Sequence, residues 1–569
     1  MSSINGQQYL ARAIHAYGLT HVFMVPTAFM AASAELDRLG VQTIMTHGEK
    51  AAVYMADGYA RARRAPGLVH AQSIGASNLA AGLRDPYMAG SPVIALTGGP
   101  EPATAYRHLY QEIDDFPMFG PVTKFSARLD DPARLPDMLR QLFREATSGA
   151  PGPVHLQVAG VSGQLLDTEI EVPDHNVLAE PGFRTLPAHR PRAGDAEIAA
   201  ALEVLASASR PVLVAGGGVV HSGAQAELTA LAELLRIPVA SSMNAKGVLD
   251  EHHPLALGVV GSYSRASANR ALMAADVVFF VGSHTGSQVT DFWRLPAPGT
   301  RVVQLDIDGA EIGRNYAGAV GLCGDAAVSL ARMVELAAAN PRTHDAWATE
   351  TAGYVAEWRD SARAKLRSEA SPMRPERICA EVTAALPEEG ILVCDTGHAG
   401  IWTASMVDLT PRQGFLRCAG SLGWGLPAAI GAQCAAPDRQ VVCFTGDGGL
   451  YYHLAELETA ARYDIPLVVV VNDNRSLNQD IEPYTGAYGG TLTEHGDKMW
   501  KFEDNDLAAT ARTLGCEAHR PETPAELADA LKAAIGSGRP TLVDAVSQID
   551  AIAEPPYGGR SFYDVFTDG

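Results

Sequence analysis

Disulfide and zinc signatures are missing from this sequence, and so are long apolar runs. The seven cysteines all lie in the second half of the chain, at irregular spacings and without a Cys-x-x-Cys pair. Such spacing is typical of reduced thiols and argues against a disulfide framework or a zinc site. Apolar runs such as 466–471 are far shorter than the roughly 20 residues of a membrane-spanning helix. We therefore expect no membrane segment.

Basic residues are too few to balance the acidic ones. Lys and Arg number 44 and Asp and Glu number 65, which gives a formal net charge of −21. Because such a surface repels phosphate backbones, nucleic acid is not an expected partner. The N-terminus has no basic segment followed by an apolar one, as a signal peptide would. Together with the reduced thiols, this predicts a cytoplasmic protein.

Short runs rich in Val, Ile and Leu alternate with Ala-rich helical segments along the whole chain. Clear runs are 93–97, 212–215, 277–281, 302–307, 391–394, 441–445 and 467–471. Unbroken apolar strands separated by helices predict an α/β fold with three doubly wound parallel-sheet domains. Proline-rich stretches near 172–194 and 340–375 divide the chain into domains 1–170, 195–340 and 372–550, with a C-terminal tail at 551–569.

A weak internal repeat links the first and last of these domains. A shift of 348 positions brings Ser73 onto Ser421 and Val93 onto Val441 without a gap. The match spans a loop, a helix and a strand, and it favours duplication of one α/β unit over coincidence.

The sharpest motif is Gly446–Asp447–Gly448, which directly follows the apolar run 441–445. A helix predicted over 450–463 and the strand 467–471 follow, and Asn474 stands 27 residues after Asp447. Both polar residues thus come at carboxyl ends of neighbouring strands, where open α/β sheets bind ligands. Oxygen ligands from two strand ends suit Mg²⁺, which completes its coordination with phosphate and water.

This motif resembles the diphosphate-binding motif of thiamine-diphosphate enzymes. The resemblance implies that Asp447 and Asn474 bind Mg²⁺ through their side chains and that Ser476 does so through its backbone carbonyl. Relatives often have Asn–Asn after an apolar residue where this chain has Asn–Asp–Asn, so Asn474 rather than Asn472 is taken as the ligand.

A second motif lies in the first domain. Glu49 opens the segment Glu-x-Ala-Ala, and Ala-Asp-Gly-Tyr-Ala-Arg follows at 56–61. This resembles the segment of acetolactate synthase and pyruvate decarboxylase relatives in which the Glu hydrogen-bonds N1′ of the aminopyrimidine. The resemblance makes Glu49 the catalytic residue.

Two further segments match the same family. The loop around Gly420 and Leu422 resembles the family motif Gly-x-Met/Leu/Ile-Gly-x-Gly-x-Pro. In that motif the apolar side chain, here Leu422, supports the cofactor. The carbonyl of the first glycine, here Gly420, accepts a hydrogen bond from the 4′-amino group of the cofactor. Gly397 and His398 belong to an Asp-x-Gly segment near the diphosphate. Both segments would contact the cofactor.

The resemblance covers nearly the whole chain and is greatest to the acetolactate synthase-like branch, which includes benzaldehyde lyases, oxalyl-CoA decarboxylases and cyclic-dione hydrolases. It implies a homodimer or homotetramer in which Glu49 serves a cofactor held by another subunit. Substrate-pocket residues would be Thr27, Ala28 and Phe29, from the segment 25–30 that stands in place of the common Val-Pro-Gly-Gly start, together with His47 and Gln111. The segment 283–288 departs from the one that accompanies FAD in acetolactate synthases, so bound FAD is doubtful.

Three functions follow from these observations. The leading one is a carboligase or lyase that takes a 2-oxo acid or 2-hydroxy ketone through an enamine on thiamine diphosphate. A second is hydrolysis of the bond between the carbonyls of a diketone, with His47 or His398 activating water. The third is a non-catalytic nucleotide-binding relative, which the presence of Glu49, Leu422, Asp447 and Asn474 argues against.

Overall fold

The computed structural model describes residues 2–172 and 176–557, and it is organised around three six-stranded sheets. The strands within each of the three sheets pair in parallel and are connected by helices. This confirms the predicted α/β class with three parallel-sheet units. Most of the predicted tail, 558–569, lies outside the described residues.

The N-terminal sheet has the strand order β3-β2-β4-β5-β7-β6, and β1 pairs with β8 in a separate antiparallel ribbon. Its strands are β1 (Ser2–Asn5), β2 (His21–Met24), β3 (Gln42–Met45), β4 (Gly67–Ala71), β5 (Val93–Gly99), β6 (Phe125–Leu129), β7 (Val154–Ala159) and β8 (Glu169–Val172). Its helices are α1 (Gly6–Ala16), α2 (Met30–Arg38), α3 (Glu49–Arg63), α4 (Ala76–Ala89) and α5 (Leu135–Thr147).

The central sheet has the order β11-β10-β9-β12-β13-β14. Its strands are β9 (Pro211–Ala215), β10 (Val239–Ser241), β11 (Ala256–Val259), β12 (Val277–Val281), β13 (Arg301–Asp306) and β14 (Val320–Cys323). The helices of this part are α6 (Asp195–Ala206), α7 (Gly217–Ser222), α8 (Gln225–Leu235), α9 (Ala266–Ala274), α10 (Ala326–Ala338) and α11 (Asp345–Leu366).

The C-terminal sheet has the order β16-β15-β17-β18-β20-β19. Its strands are β15 (Ile391–Cys394), β16 (Gly414–Arg417), β17 (Val441–Gly446), β18 (Val468–Asp473), β19 (Glu517–His519) and β20 (Thr541–Val546). Its helices are α12 (Pro375–Ala385), α13 (His398–Met406), α14 (Gly425–Ala435), α15 (Asp447–Tyr452), α16 (Glu456–Arg462), α17 (Ile481–Ala487), α18 (Glu494–Lys498), α19 (Leu507–Thr513) and α20 (Pro524–Ser537).

Short 3₁₀ helices complete the secondary structure, at Ser73–Gly75, Phe116–Val122, Pro132–Arg134, Gln164–Asp167, Pro181–Phe183, Met243–Ala245 and Asn478–Asp480. Among the residues that the structure describes, no helix combines the length and the apolarity that crossing a bilayer requires.

The single helix predicted over 450–463 was wrong, because two helices, α15 and α16, occupy this stretch. The break falls at His453, whose backbone leaves the helical region (φ −138°, ψ 32°). The His453 ring packs edge-on against Tyr54 of the N-terminal domain, with ring centroids 5.7 Å apart. Contact with another domain thus overrides local helix propensity here.

The N-terminal and C-terminal sheets share one topology, since both place their strands in the relative order 2-1-3-4-6-5. The 348-position shift is nevertheless wrong in register. It superposes β5 on β17, whereas position in the sheet makes β17 the equivalent of β4. Small residues and apolar strands recur in every βα unit, so a shift by about one unit still matches many of them.

The two equivalent domains meet through α3 and α14, each of which follows the second strand of its sheet. A Cβ atom added at Gly58 would lie 2.0 Å from the Ala428 carbonyl oxygen. A Cβ atom added at Gly431 would lie 1.8 Å from the Met55 carbonyl oxygen. Each helix therefore uses a glycine to let the backbone of the other approach closely.

Candidate active site

The strand order of the C-terminal sheet opens a crevice between β15 and β17. The chain leaves β15 toward β16 on one side and reaches β17 on the other, so the connections diverge above these two carboxyl ends. Ligands of open α/β sheets bind at such a switch point. The segment 395–398 follows β15, and Asp447 follows β17.

The predicted metal ligands are brought together at this crevice. The Ser476 backbone N–H donates to Asp447 Oδ2 at 3.0 Å and to Asn474 Oδ1 at 3.1 Å. Parallel pairing sets Gly446 beside Asn472 and so fixes the two strand ends relative to one another. Asn472 itself lies within β18, so the position beyond the strand belongs to Asn474.

The electrostatics of this cluster fit a cation. Burial and the neighbouring Asp473 carboxylate raise the pKa of Asp447 well above its ordinary value. Buried oxygens of Asn472, Asp473 and Ser476 have no hydrogen-bond partner. Within the described part of the chain, no group of three or more His, Cys, Asp or Glu side chains is arranged to hold a metal. A cation here would thus depend on amide, backbone and external oxygens besides Asp447, which suits Mg²⁺.

The loop between β16 and α14 faces the same crevice. Asp395 ties it to the strand ends, because its carboxylate accepts hydrogen bonds from the Gly423 and Gly425 backbone N–H groups, both at 3.1 Å. Burial raises the pKa of Asp395 to about 6. Gly420 is exposed and Leu422 is half-buried, so both remain accessible to a ligand. A Cβ atom at Gly420 or Gly446 would meet open space.

Gly397 and His398 stand at the start of α13. Gly397 has φ 69° and ψ −147°, a conformation that is essentially restricted to glycine. His398 Nδ1 lies 2.8 Å from Asn478 Oδ1, and its Nε2 accepts from the Ala553 N–H at 3.4 Å. Both ring nitrogens of His398 are therefore engaged, and burial lowers its pKa.

Glu49 begins α3, where its charge is favourable to the helix dipole. Its carboxylate is half-buried and accepts a hydrogen bond from Asn78 Nδ2 at 3.0 Å. A Cβ atom at Gly75 would lie 2.7 Å from Glu49 Oε1, so only glycine leaves room for the carboxylate in this place. No motif in the sequence points to Asn78 and Gly75 as partners of Glu49, and their contact with it appears only in three dimensions.

The residues named for the substrate pocket lie in loops that follow β2, β3 and β5 of the N-terminal sheet, and they differ in exposure. Thr27 is exposed, whereas Ala28 and Phe29 are buried in the core of the N-terminal domain. The Phe29 ring packs against His70 and leaves room only for glycine at position 163. Thr27 and Phe29 both have positive φ, 98° and 51°, and this turn directs the Phe29 ring inward. Within this chain, Ala28 and Phe29 therefore pack in the core of the N-terminal domain.

His47 and Gln111 occupy separate surroundings. His47 Nε2 lies 2.8 Å from Glu458 Oε2 of α16, and the His47 N–H donates to Glu456. Gln111 lies beside the carboxyl end of β4, where its backbone carbonyl accepts from Ser73 Oγ at 3.1 Å. The Gln111 side-chain oxygen is buried without a partner. Gln111 thus keeps a free acceptor close to the turn that contacts Glu49.

A separate cavity of about 850 Å³ opens at the switch point of the central sheet, between β9 and β12. Gly218 and Gly282 approach each other in its wall. The segment 283–288, singled out from the sequence, contributes Ser283, His284 and Gln288 to the lining. Gln288 also accepts a hydrogen bond from Arg417, which links this cavity to the end of β16.

A sheet switch point with a buried carboxylate and amide oxygens is suited to a cation and to the anionic ligand that such a cation would neutralise. Three family models match the chain. They are the N-terminal TPP binding domain of thiamine pyrophosphate enzymes at residues 4–118, the central domain at 198–333 and the C-terminal TPP binding domain at 395–545. The chain belongs to the thiamine pyrophosphate enzyme family, and the family resemblance drawn from its motifs is confirmed.

Curated relatives place the chain within this family. The probable acetolactate synthase large subunit of Methanocaldococcus jannaschii is 33% identical over 98% of this chain and 94% of its own length. The acetolactate synthase large subunit of Parasynechococcus marenigrum is 32% identical over 95% of this chain and 87% of its own. The acetolactate synthase isozyme 3 large subunit of Escherichia coli is 29% identical, with 84% and 83% covered. The chain is therefore acetolactate synthase-like.

Proposed function

We propose that this protein is a thiamine-diphosphate- and Mg²⁺-dependent carboligase that takes a 2-oxo acid or 2-hydroxy ketone and forms a carbon–carbon bond. The observation that carries the proposal is the meeting of Asp447, Asn474 and Ser476 at the switch point of the C-terminal sheet. Similarity to acetolactate synthases along nearly the whole chain supports the same chemistry.

Each residue of the site has a defined task in this proposal. Thiamine diphosphate, when bound, supplies a nucleophilic carbon, C2, that adds to a carbonyl group. Asp447, Asn474 and the Ser476 carbonyl hold the Mg²⁺ that neutralises its diphosphate. Leu422 supports the ring system and the Gly420 carbonyl orients its 4′-amino group. Glu49 holds a proton at N1′, and Asn78 fixes the Glu49 carboxylate for that purpose.

Hydrolysis of a diketone is less well supported by the geometry. That reaction needs a base free to accept a proton from water. His398 has both ring nitrogens hydrogen-bonded, and His47 has Nε2 bound to Glu458, so only His47 Nδ1 is left for this role. Carboligation requires neither histidine as a base.

We further propose that FAD is not required and that the protein acts in the cytoplasm. The segment 283–288 lines the central cavity with residues that differ from those accompanying FAD in acetolactate synthases. The seven cysteines are free thiols in the structure, and all but Cys323 are buried, as is common in a reducing compartment.

The function is tested by assaying the purified protein with thiamine diphosphate and Mg²⁺, without FAD. Substrates are pyruvate alone, pyruvate with an aldehyde, 2-hydroxy ketones, acyl-CoA substrates and cyclic 1,2-diketones, with products identified by mass spectrometry. We expect a product with a new carbon–carbon bond from a 2-oxo acid or 2-hydroxy ketone. A ring-opened acid from the diketone alone would favour the hydrolase. Failure to bind thiamine diphosphate would leave the non-catalytic relative.

We propose that a second copy of the chain completes the site. Within the described residues, the one hydrogen bond of the Glu49 carboxylate comes from its own domain. Large apolar side chains are exposed near both halves of the site, Ile74, Tyr110 and Ile113 in the N-terminal domain and Tyr452 and Leu477 in the C-terminal domain. Clustered exposed apolar surface is typical of an interface. We propose at least a dimer, in which Glu49 of one chain meets the Asp447 site of the other.

This arrangement predicts complementation between two inactive variants. Glu49→Gln and Asp447→Ala proteins, mixed and allowed to exchange subunits, should recover about one quarter of wild-type activity, because half of the dimers are hybrids with one intact site of two. Activity is followed in the carboligation assay and exchange by native mass spectrometry. Proven exchange with no recovery would place Glu49 and Asp447 of the same chain in one site.

A further inference from the structure

The loop that carries Gly420 and Leu422 is irregular, and its own domain holds it at few points. It runs over 418–424, between β16 and α14. Asp395 holds its end through the Gly423 N–H, and the Trp424 N–H bonds back to the Ser421 carbonyl at 3.2 Å. The start of the loop, which contains Gly420, is held by the N-terminal domain.

The carboxylate of Asp85, on α4 of the N-terminal domain, binds the backbone at the start of the loop. Asp85 is 1% exposed. Its Oδ1 accepts from the Ala419 N–H at 2.6 Å and its Oδ2 from the Ser421 N–H at 3.0 Å. The two donors flank Gly420, so one carboxylate fixes the backbone on both sides of it. Among the described residues Asp85 forms no ion pair, and its two oxygens are bound by these backbone donors.

A second buried carboxylate of the N-terminal domain binds the end of the loop. Asp57 on α3 is fully buried and accepts from Trp424 Nε1 at 2.9 Å. Arg61, one turn further along α3, donates to the Arg417 carbonyl at 2.8 Å, just before the loop begins. The N-terminal domain thus holds the loop at its entry, around Gly420 and at its exit.

We propose that Asp85 is a positioning residue for catalysis, which sets the Gly420 carbonyl and the Leu422 side chain at the cofactor from across the domain boundary, with Asp57 as its counterpart at Trp424. The inference rests on the proposed function, since it assigns the loop to thiamine diphosphate. A displacement of about 1 Å at reacting groups can cost about a hundredfold in rate. Hydrogen bonds from one carboxyl group to the backbone on both sides of Gly420 oppose such a displacement.

The test uses full-length Asp85→Ala and Asp85→Asn proteins, with Glu376→Gln as a control. Glu376 is another buried carboxylate, paired with Arg374 at 2.8 Å and without contact to the loop. Hydrogen–deuterium exchange of the cofactor-free proteins is measured for peptides covering 418–424. Loss of the acceptor should raise exchange at Ala419 and Ser421 by about tenfold or more, with no change in the control.

The second measurement is hydrogen exchange at C2 of bound thiamine diphosphate, followed by quenching and NMR. We expect the Asp85 variants to slow it by about ten- to a hundredfold. Affinity for thiamine diphosphate and Mg²⁺, measured by calorimetry, should change by less than about threefold, because Asp447 and Asn474 are untouched. Faster loop exchange with unchanged C2 exchange would overturn the positioning role, as would no change in either.

Two further outcomes remain decisive. If wild-type protein itself does not accelerate C2 exchange, the proposed function fails rather than this inference. If the Asp85 variants do not fold, Trp424→Phe replaces them, because it removes the N–H donated to Asp57 and keeps an aromatic ring at this position. The Trp424→Phe protein should show faster amide hydrogen exchange at 421–424 and slower hydrogen exchange at C2 of the cofactor. Wild-type values in both measurements would overturn the proposal.

Discussion

Replacing Glu49 with Gln should slow exchange of the C2 hydrogen of bound thiamine diphosphate by about two to four orders of magnitude, the typical contribution of a positioned acid–base group. The carboxylate is held by Asn78 and accommodated by Gly75. Glutamine has nearly the same shape, so these contacts and most cofactor affinity should persist. Its amide, however, cannot share a proton with N1′.

The exchange rate is measured by transfer into D₂O, acid quenching and NMR, with calorimetry to verify that cofactor is bound. Glu35→Gln serves as a matched control, since Glu35 is a carboxylate of the same domain that pairs with Arg12 and Arg38 away from the site. Thiamine diphosphate bound to the Glu35→Gln protein should exchange its C2 hydrogen at the wild-type rate. Wild-type exchange in the Glu49→Gln protein would show that another group activates the cofactor.

Asp447→Ala should abolish retention of thiamine diphosphate and, with it, activity. Without the carboxylate, Mg²⁺ loses its charged protein ligand, and the diphosphate then has no bridging cation. The cofactor-free variant should be at least as stable as wild type, because the change removes a carboxyl whose pKa is raised by burial and by Asp473. Loss of binding would therefore not reflect unfolding.

Thermal unfolding with and without cofactor separates these effects. At about a hundredfold excess over Kd, a ligand stabilises the folded protein by about 2.7 kcal/mol. Wild type should show this gain and Asp447→Ala should show none. Asp438→Ala is the control, an exposed carboxylate just before the amino end of the same strand, and it should behave as wild type. A full cofactor-induced gain in the Asp447→Ala protein would contradict the assignment of the metal site.

The fold, and the meeting of the residues at the centre of the candidate site, could be predicted because they depend on local patterns. Apolar runs mark buried parallel strands, and polar residues immediately after two of them meet wherever those strands are neighbours. Asp447 and Asn474 follow this logic. The buried position of the Phe29 ring could not be predicted in this way. The ring turns inward because Thr27 and Phe29 have positive φ, and the sequence does not show this.

Contacts between domains also could not be predicted from the sequence. Asp85 and Ser421 are separated by 336 positions, yet they share a hydrogen bond, and no pattern links them. The break between α15 and α16 has a similar cause, since the His453 ring meets Tyr54 of another domain. Local propensity describes each element alone, and such positions are decided by what the element packs against.

The reciprocal glycines of α3 and α14 restrict how this protein can recombine with its relatives. Gly58 admits the backbone at Ala428, and Gly431 admits the backbone at Met55. A chimaera that took either helix from a parent with a larger residue at one of these positions would force the helices apart, and the loop anchored on Asp85 would move with them. The two outer domains should therefore be inherited as one unit, and crossovers between parents should succeed at the edges of the central domain.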